Sequence, residues 1–359
     1  MKRFLTFEKR MAGTTGNVVL VRIASVAAAV LATVLILLCA GLEPPQVAEV
    51  LSSMFIQTFF SIDGLFSVIV KSIPLIITSV GISLAFKMKL WNIGGEGQIA
   101  MGAFAAAGVA MAFPNLAGWL LLPLMAVAAM LAGGLWAGIA AAPKAYLGVN
   151  ETITTLMLNY VALIWLQYLI NGPWATNGFP LAPPISGNAR MPALNLFNNE
   201  LHLGILIAAA LVAAYYFLLY RSRWGYEIRV TGESLRAAEY AGINVRRNML
   251  AVLMLSGAIA GIAGMGEVAG MSHRLEMTIS GNFGYTAIII AWLARLNPWG
   301  VVAMSVFMAA LMVGGQYAAG IPNAVPVMIQ GVILFFVLGF DLFTQYKVRF
   351  HFGRKEAKQ

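Results

Sequence analysis

Residues Arg221 to Arg247 read RSRWGYEIRVTGESLRAAEYAGINVRR. This is the longest mainly positive interruption between two apolar stretches, and the rest of the chain is read from it. Ser234 is placed to cap a helix starting at Leu235, its side chain accepting from an early backbone N–H. Gly242 ends that helix in the left-handed region, and Asn244 starts the next one. Leu235, Ala238, Ala241 and Gly242 then share one face, at i, i+3, i+6 and i+7. The face is apolar and nearly flat. It either seats in a groove on another protein or is an incidental turn in a solvated loop.

On both sides of this loop the sequence reads as membrane. Of 359 residues, 60% are hydrophobic and 10% charged. The mean hydropathy is +0.82. Soluble domains carry roughly 25% charged residues. The apolar residues gather in runs of about 20, the length that crosses a hydrocarbon core as a helix. No alternating strand pattern suggests a barrel. The fold class expected is therefore an all-α, polytopic transmembrane bundle in contact with membrane lipid. The net charge of +9 follows from positive residues collecting on the cytoplasmic side and gives no sign of a nucleic-acid partner. The single cysteine, Cys39, excludes an internal disulfide and a cysteine metal cluster. Leu38 is bulky where a lipid-anchored cysteine needs a small residue before it, so the first apolar run is expected to be retained as a membrane helix.

Taken in order, a basic arm (1–22) precedes about ten spans within residues 23–345, and a basic tail (346–359) follows. The spans fall near 23–41, 66–86, 99–113, 117–140, 152–170, 202–220, 248–270, 284–295, 299–319 and 325–343. Glu43 to Asp63, with Pro44-Pro45, Glu49 and no Lys or Arg, separates the first two spans, Asn171 to Glu200 is a loop, and Pro143-Lys144 turns the chain. This count places twenty of the 23 Lys and Arg on the side of the termini and only Lys71, Arg190 and Arg274 opposite. Positive charge marks the cytoplasm. Both termini and the loop 221–247 are therefore expected there, in a multi-pass protein of a bacterial inner membrane. Spans two to five and seven to ten form two four-helix halves of inverted direction.

In each half a Gly-rich polar hinge precedes a short span: Ile93-Gly94-Gly95-Glu96-Gly97-Gln98 and Ser280-Gly281-Asn282-Phe283-Gly284. Such breaks at matching places point to a transport pathway, although glycines also serve tight turns. Asn92, Glu96, Gln98 and Asn282 are the candidate pathway residues of these hinges. Asn159 and Glu267 join them from within spans, where polar groups need a partner or water. Glu96 has an alternative reading as a helix cap. Gly257-x-x-x-Gly261, Ala260-x-x-x-Gly264, Gly266-x-x-x-Gly270 and Gly134-x-x-x-Gly138 mark close helix packing. Gly94-Gly95-Glu96-Gly97 lacks the Lys-Ser/Thr ending of a phosphate loop, so the chain has no ATP machinery and needs no cofactor of its own. His202, His273 and His351 are scattered, and no catalytic or metal-binding set appears.

Four pieces together resemble a known family. They are Leu90–Ala103 (LWNIGGEGQIAMGA), Gly148–Tyr160 (GVNETITTLMLNY), Gly232–Ile243 (GESLRAAEYAGI) and Ser256–Gly264 (SGAIAGIAG). The chain resembles, over about residues 20–345, the permease subunits of bacterial ABC importers for branched-chain amino acids, simple sugars and nucleosides. The hinge and the Asn150–Tyr160 run look most like the nucleoside branch, served by basic-membrane-protein-type binding proteins. The resemblance implies a non-enzymatic transport subunit. Its partners would be ABC ATPase subunits, a second related permease and an extracytoplasmic substrate-binding protein. It implies that Gly232, Glu233, Leu235, Ala237, Ala238, Tyr240, Gly242 and Ile243 form the ATPase-coupling element of loop 221–247. A simple-sugar permease is the nearest alternative, and an ion-coupled secondary transporter is the alternative from another class. Ten spans with cytoplasmic termini predict that reporter fusions within loop 171–200 and at Glu233 report opposite sides; equal sidedness would refute the count.

Overall fold

The computed structural model describes residues 5–9, 15–39, 41–176, 178–197, 199–316 and 346–350, with scattered helical positions between 328 and 340. The helices are α1 (Thr15–Cys39), α2 (Pro44–Phe60), α3 (Ile62–Lys87), α4 (Gly95–Ala112), α5 (Gly118–Leu147), α6 (Glu151–Asn171), α7 (Gly204–Arg221), α8 (Arg223–Glu233), α9 (Leu235–Tyr240), α10 (Val245–Glu267), α11 (Phe283–Leu293) and α12 (Pro298–Gln316). Short strands are β1 (Leu5–Lys9), β2 (Ala193–Leu196), β3 (Asn199–His202) and β4 (Tyr346–Phe350). The chain divides into a unit of Ser61–Ala310 and a unit of Met1–Phe60 with Leu311–Gln359.

The fold is a helical membrane bundle. Among the described residues, six helices are long and apolar enough to cross a bilayer: α3, α5, α6, α7, α10 with its π-helical extension to Ser272, and α12. The apolar part of α1 (Ala27–Cys39) and α11 are shorter, and α4 opens with Glu96 and Gln98. Most of the tenth expected span falls outside the described residues. With 11 residues, α11 rises about 16 Å at ~1.5 Å per residue, near half of a hydrocarbon core.

In the larger unit α10 is the central element, packed against α3, α4 and α5. Its glycines explain why. A Cβ on Gly261 would land on the Ala129 carbonyl of α5, one on Gly257 on the Gly133 carbonyl, and one on Gly264 on the Ile99 carbonyl of α4. Gly102 of α4 meets Gly261 in the same way. Backbones can approach this closely only where no side chain intervenes. The core beside them is correspondingly small in side chain, with Ala100, Ala103, Ala106, Ala107 and Ala110 of α4 buried against Leu121, Met125 and Ala129 of α5.

Three local expectations change. Glu43–Asp63, to which no helix was assigned, is mainly the helix α2. Val47, Val50, Met54 and Thr58 are buried along one face of it, and the first three cluster with Leu37 of α1. Pro143-Lys144 does not turn the chain. The helix continues to Leu147 and ends at Gly148, which adopts φ +70° and bonds back to the Pro143 carbonyl. A proline there removes one N–H and its helical bond, a loss that membrane helices accommodate where neighbouring groups satisfy the freed carbonyl. In the smaller unit α1 begins at Thr15, inside the expected arm, and residues 5–9 pair antiparallel with residues 346–350 of the tail.

The glycine contacts predict opposite outcomes for two substitutions on one helix. Gly261→Ala should lower stability by about 1–3 kcal/mol, the usual scale of overpacking. Gly266→Ala, with nothing within 4 Å of the added carbon, should be neutral or stabilising by up to ~1 kcal/mol through helix propensity. Thermal unfolding of the purified proteins in detergent measures both.

Candidate functional site

The hinge between α3 and α4 is held by one face of α6. Asn150 caps that helix, accepting from the Thr152 N–H at 2.9 Å. Glu151, Thr155 and Asn159 then recur every four residues and so project from the same side. The Glu151 carboxylate accepts from the Trp91 N–H at 3.3 Å and pairs with Lys144 at 2.7 Å. The Thr155 hydroxyl accepts from the Ile93 N–H at 3.2 Å. The Asn159 carboxamide accepts from the Gly97 N–H at 2.9 Å and donates to the Ile93 carbonyl at 2.9 Å. It also donates to the Tyr285 hydroxyl at 3.3 Å. One helix face thus satisfies the irregular backbone between two membrane helices, which hydrocarbon would leave unpaired.

Within the hinge, Asn92 and Gln98 form a reciprocal amide pair at 3.0 and 2.9 Å. Asn92 also donates to the Ser256 hydroxyl of α10 at 2.9 Å and accepts from the Gly94 N–H at 3.1 Å. Asn92, Glu96, Gln98 and Asn159 are all buried.

Glu96 joins the two hinges. Its carboxylate accepts from the Asn282 N–H at 2.9 Å and the Gly284 N–H at 2.8 Å. These are free donors at the start of α11, where a helix N-terminus favours an acidic group. Glu96 therefore caps α11, a helix 186 residues away, and not the helix it begins, whose N-cap Gly94 has no side-chain cap bond. The contact is close because Gly284 lies directly on the Gly95–Glu96 backbone. Asn282 supplies the turn through a left-handed φ of +60°, a conformation asparagine tolerates. Glu267, at the end of α10, stands apart from this bracket and is half-buried. Lys71, counted on the outer side, lies inside α3 with its ammonium 4.8 Å from the centre of the Phe283 ring.

The basic loop contains two helices where one was expected. Ser222 caps α8 by accepting from the Gly225 N–H at 2.9 Å. Gly225 and Gly232 lie against the Leu218 and Lys87 carbonyls, and Ile228 between them is fully buried. Asn248 of α10 ties α8 down. It accepts from the Trp224 indole at 3.1 Å and donates to Glu227 at 2.7 Å. α9 follows as read. Ser234 accepts from the Ala237 N–H at 3.3 Å, Gly242 adopts φ +73°, and Asn244 accepts from the Arg247 N–H at 3.0 Å. The flat face, however, divides. Ala238 is fully buried within this chain, while Leu235 is 49% and Tyr240 93% exposed. Glu233, Ala237, Ala241 and Gly242 are exposed, Ile243 half-buried and Gly232 buried. Two clefts flank α9. One of about 360 Å³ is lined by Lys89, Lys144, Glu233 and Arg236 among others. Another of about 540 Å³ is lined by Trp224, Glu227, Ile243 and Arg247 among others.

A family model described as branched-chain amino acid transport system / permease component matches residues 64–338. The chain belongs to this family. It is 37% identical over 319 residues to the glucose ABC transporter permease protein TsgB13 of Haloferax volcanii, covering 84% of this chain and 83% of that one. It is 33% identical over 295 residues to the guanosine ABC transporter permease protein NupP of Bacillus subtilis, covering 79% and 82%. It is 29% identical over 277 residues to the nucleoside ABC transporter permease protein NupB of Lactococcus lactis, covering 74% and 76%.

In this permease, sequence reasoning had singled out Asn159 but not Glu151, Thr155, Ser256 or Tyr285, which share its network. The first two were legible as polar residues spaced every four on a predicted helix. Ser256 and Tyr285 carried no such signal, because their partners lie 164 and 126 residues away. The bracket predicts graded losses. Asn159→Ala strands the Gly97 N–H and the Ile93 carbonyl, at about 1–3 kcal/mol per buried unpaired group. Asn159→Asp keeps the acceptor for Gly97, so it should lose less. Glu96→Gln keeps an acceptor for one of the two N–H donors and turns its NH2 toward the other, and should cost a similar amount. Thermal unfolding ranks these variants. Equal stability of all three with wild type would contradict the bracket.

Proposed function

We propose that this permease forms the membrane pathway of an ATP-driven importer, moving a nucleoside inward with energy from a separate ATPase subunit. The observation that carries the pathway reading is the meeting of the two polar breaks at Glu96, because broken helices facing each other near the bilayer midplane are where transporters place their routes. Asn92, Gln98, Asn159 and Asn282 hold this junction, and the half-exposed Tyr285 hydroxyl opens it toward solute. Glu267, apart from the junction at the end of α10, is the remaining candidate for this route. The nucleoside reading is supported by the likeness to permeases named for guanosine and nucleosides. The likeness to a glucose permease favours a sugar as the second reading.

The partners are ABC ATPase subunits, a second, related permease and an extracytoplasmic binding protein. Ten spans in two inverted halves, with both ends in the cytoplasm, remain the proposed topology. Pairing of residues 5–9 with 346–350 supports it, since an even number of crossings returns both ends to one side. The loop 221–247 is then the cytoplasmic coupling element. Gly232 and Ala238 seat it on this chain's own membrane helices. Leu235, Tyr240 and the two clefts face the ATPase, with Glu233, Ala237, Gly242 and Ile243 around them. Any movement of the ATPase against Tyr240 passes through α8 to the ends of α3 and α10.

Uptake of labelled guanosine and glucose by cells carrying the complete transporter tests the substrate; glucose uptake without guanosine uptake would replace the nucleoside reading by the sugar one. Tyr240→Ala should weaken ATPase co-purification by about 2 kcal/mol, the hot-spot scale for an exposed aromatic that docks, or roughly thirtyfold. Arg236→Gln should change it little, as surface charges contribute under ~1 kcal/mol. Full ATPase recovery with Tyr240→Ala would place the docking surface elsewhere.

A further inference from the structure

The C-terminal half of α6 carries a feature that the junction at Glu96 does not use. Trp165 and Tyr168 are exposed there, at 41% and 59%. Their rings lie 5.8 Å apart with 32° between planes. Trp165 stands edge-on against Phe104 of α4, at 6.1 Å and 87°. Phe104 in turn stacks on Trp174, at 5.4 Å and 26°. Gly108 of α4 leaves room for the Trp174 ring, whose nearest atom lies 3.6 Å from where a Cβ would stand. The exposed rings are thus buttressed from behind and keep their orientation.

Beside them runs a groove of about 330 Å³ lined by Ile164, Gln167, Tyr168, Asn171 and Gly172. It contains no charged side chain. Gln167 is exposed on this membrane-spanning helix, and its carboxamide bonds to no described residue. Asn171 donates its amide to the Gln167 backbone carbonyl at 2.8 Å, which leaves its side-chain oxygen to accept. Amides are costly against hydrocarbon, so this end of α6 suits a watery surrounding better than lipid chains.

We propose that this groove is a nucleobase-stacking site on the route of the solute. The inference rests on the nucleoside reading above and deepens it. Three features select the ligand. An aromatic surface held rigid suits a planar ring, since base–aromatic stacking is strong for every base. A carboxamide offers a donor and an acceptor side by side, matching the paired acceptor and donor on a base edge. The lack of charge suits a nucleoside and disfavours a nucleotide, whose phosphate would sit beside no cation. In the proposed orientation the groove lies toward the outer side, before the junction at Glu96.

The test uses the complete transporter in cells, with uptake normalised to the amount of assembled complex. Tyr168→Ala should raise the KM for guanosine roughly tenfold with little change in the maximal rate. Tyr168→Phe should behave as wild type, because the ring is kept. Gln167→Leu should raise KM and reduce discrimination between guanosine and uridine. Wild-type KM in both Tyr168→Ala and Gln167→Leu, with guanosine still transported, overturns the site and leaves the nucleoside permease reading intact. Loss of the second permease from Tyr168→Ala complexes, with unchanged KM in those that remain, also overturns it and makes the groove a subunit seam. Wild-type transport of glucose and of no nucleoside removes the nucleoside reading and this site together.

Discussion

The carboxylate of Glu96 bonded to the first N–H groups of α11 is the interaction on which the larger unit depends. Hydrocarbon supplies no partners for a free helix end. A helix of half-membrane length therefore exists only if something inside the protein closes its N-terminus. Glu96 does this from the first turn of α4, and the approach requires glycine at 95 and 284, where the two backbones touch. Every other part of the junction follows. Asn159 and Thr155 hold the hinge from which Glu96 projects, and Asn92 fastens the same hinge to α10 through Ser256.

The junction has a fixed place because α10 has one. Its glycines lie against backbone atoms of α4 and α5, so small shifts meet hard contacts. Close backbone packing replaces the hydrophobic driving force that is missing between helices in lipid. The same helix begins at Asn244 beside the basic loop and holds α8 through Asn248. One rigid element thus connects the surface proposed to meet the ATPase with the polar junction. The short turn Ala241–Asn244 and the bonds of Asn248 to α8 join that surface to α10, which gives a docking event a contiguous route to the pathway.

The polar groups of the hinge and of the α6 groove differ in satisfaction. Those of the hinge are buried, and their atoms are shared out among backbone and side chains. Gln167 and the rings of Trp165 and Tyr168 are exposed on a membrane helix instead. Satisfied groups hold structure, and unsatisfied exposed ones are available to a solute. The distinction separates the residues that shape the route from those proposed to contact what passes along it.

Much of this was legible from the chain alone. Hydropathy gave the membrane bundle, because a core of ~30 Å needs runs of about 20 apolar residues. Ser234, Gly242 and Asn244 announced α9 and its flanks, since caps act through neighbours within four residues. The paired Gly-rich breaks marked the junction. Other features needed the tertiary structure. The helix α2 was missed, because its apolar face is narrow and the segment holds Pro44-Pro45 and Glu49. α8 was hidden among arginines, and only its contact with the Leu218 and Lys87 carbonyls explains Gly225 and Gly232. Ala238 gave no sign of which way it would face, because an alanine suits its own membrane domain and a partner's groove equally well. Local chemistry thus determined most of the long apolar helices and where several begin and end. Which helix Glu96 caps was settled only by packing, because its donors at Asn282 and Gly284 lie more than 180 residues away, and a hydrogen bond records no sequence distance.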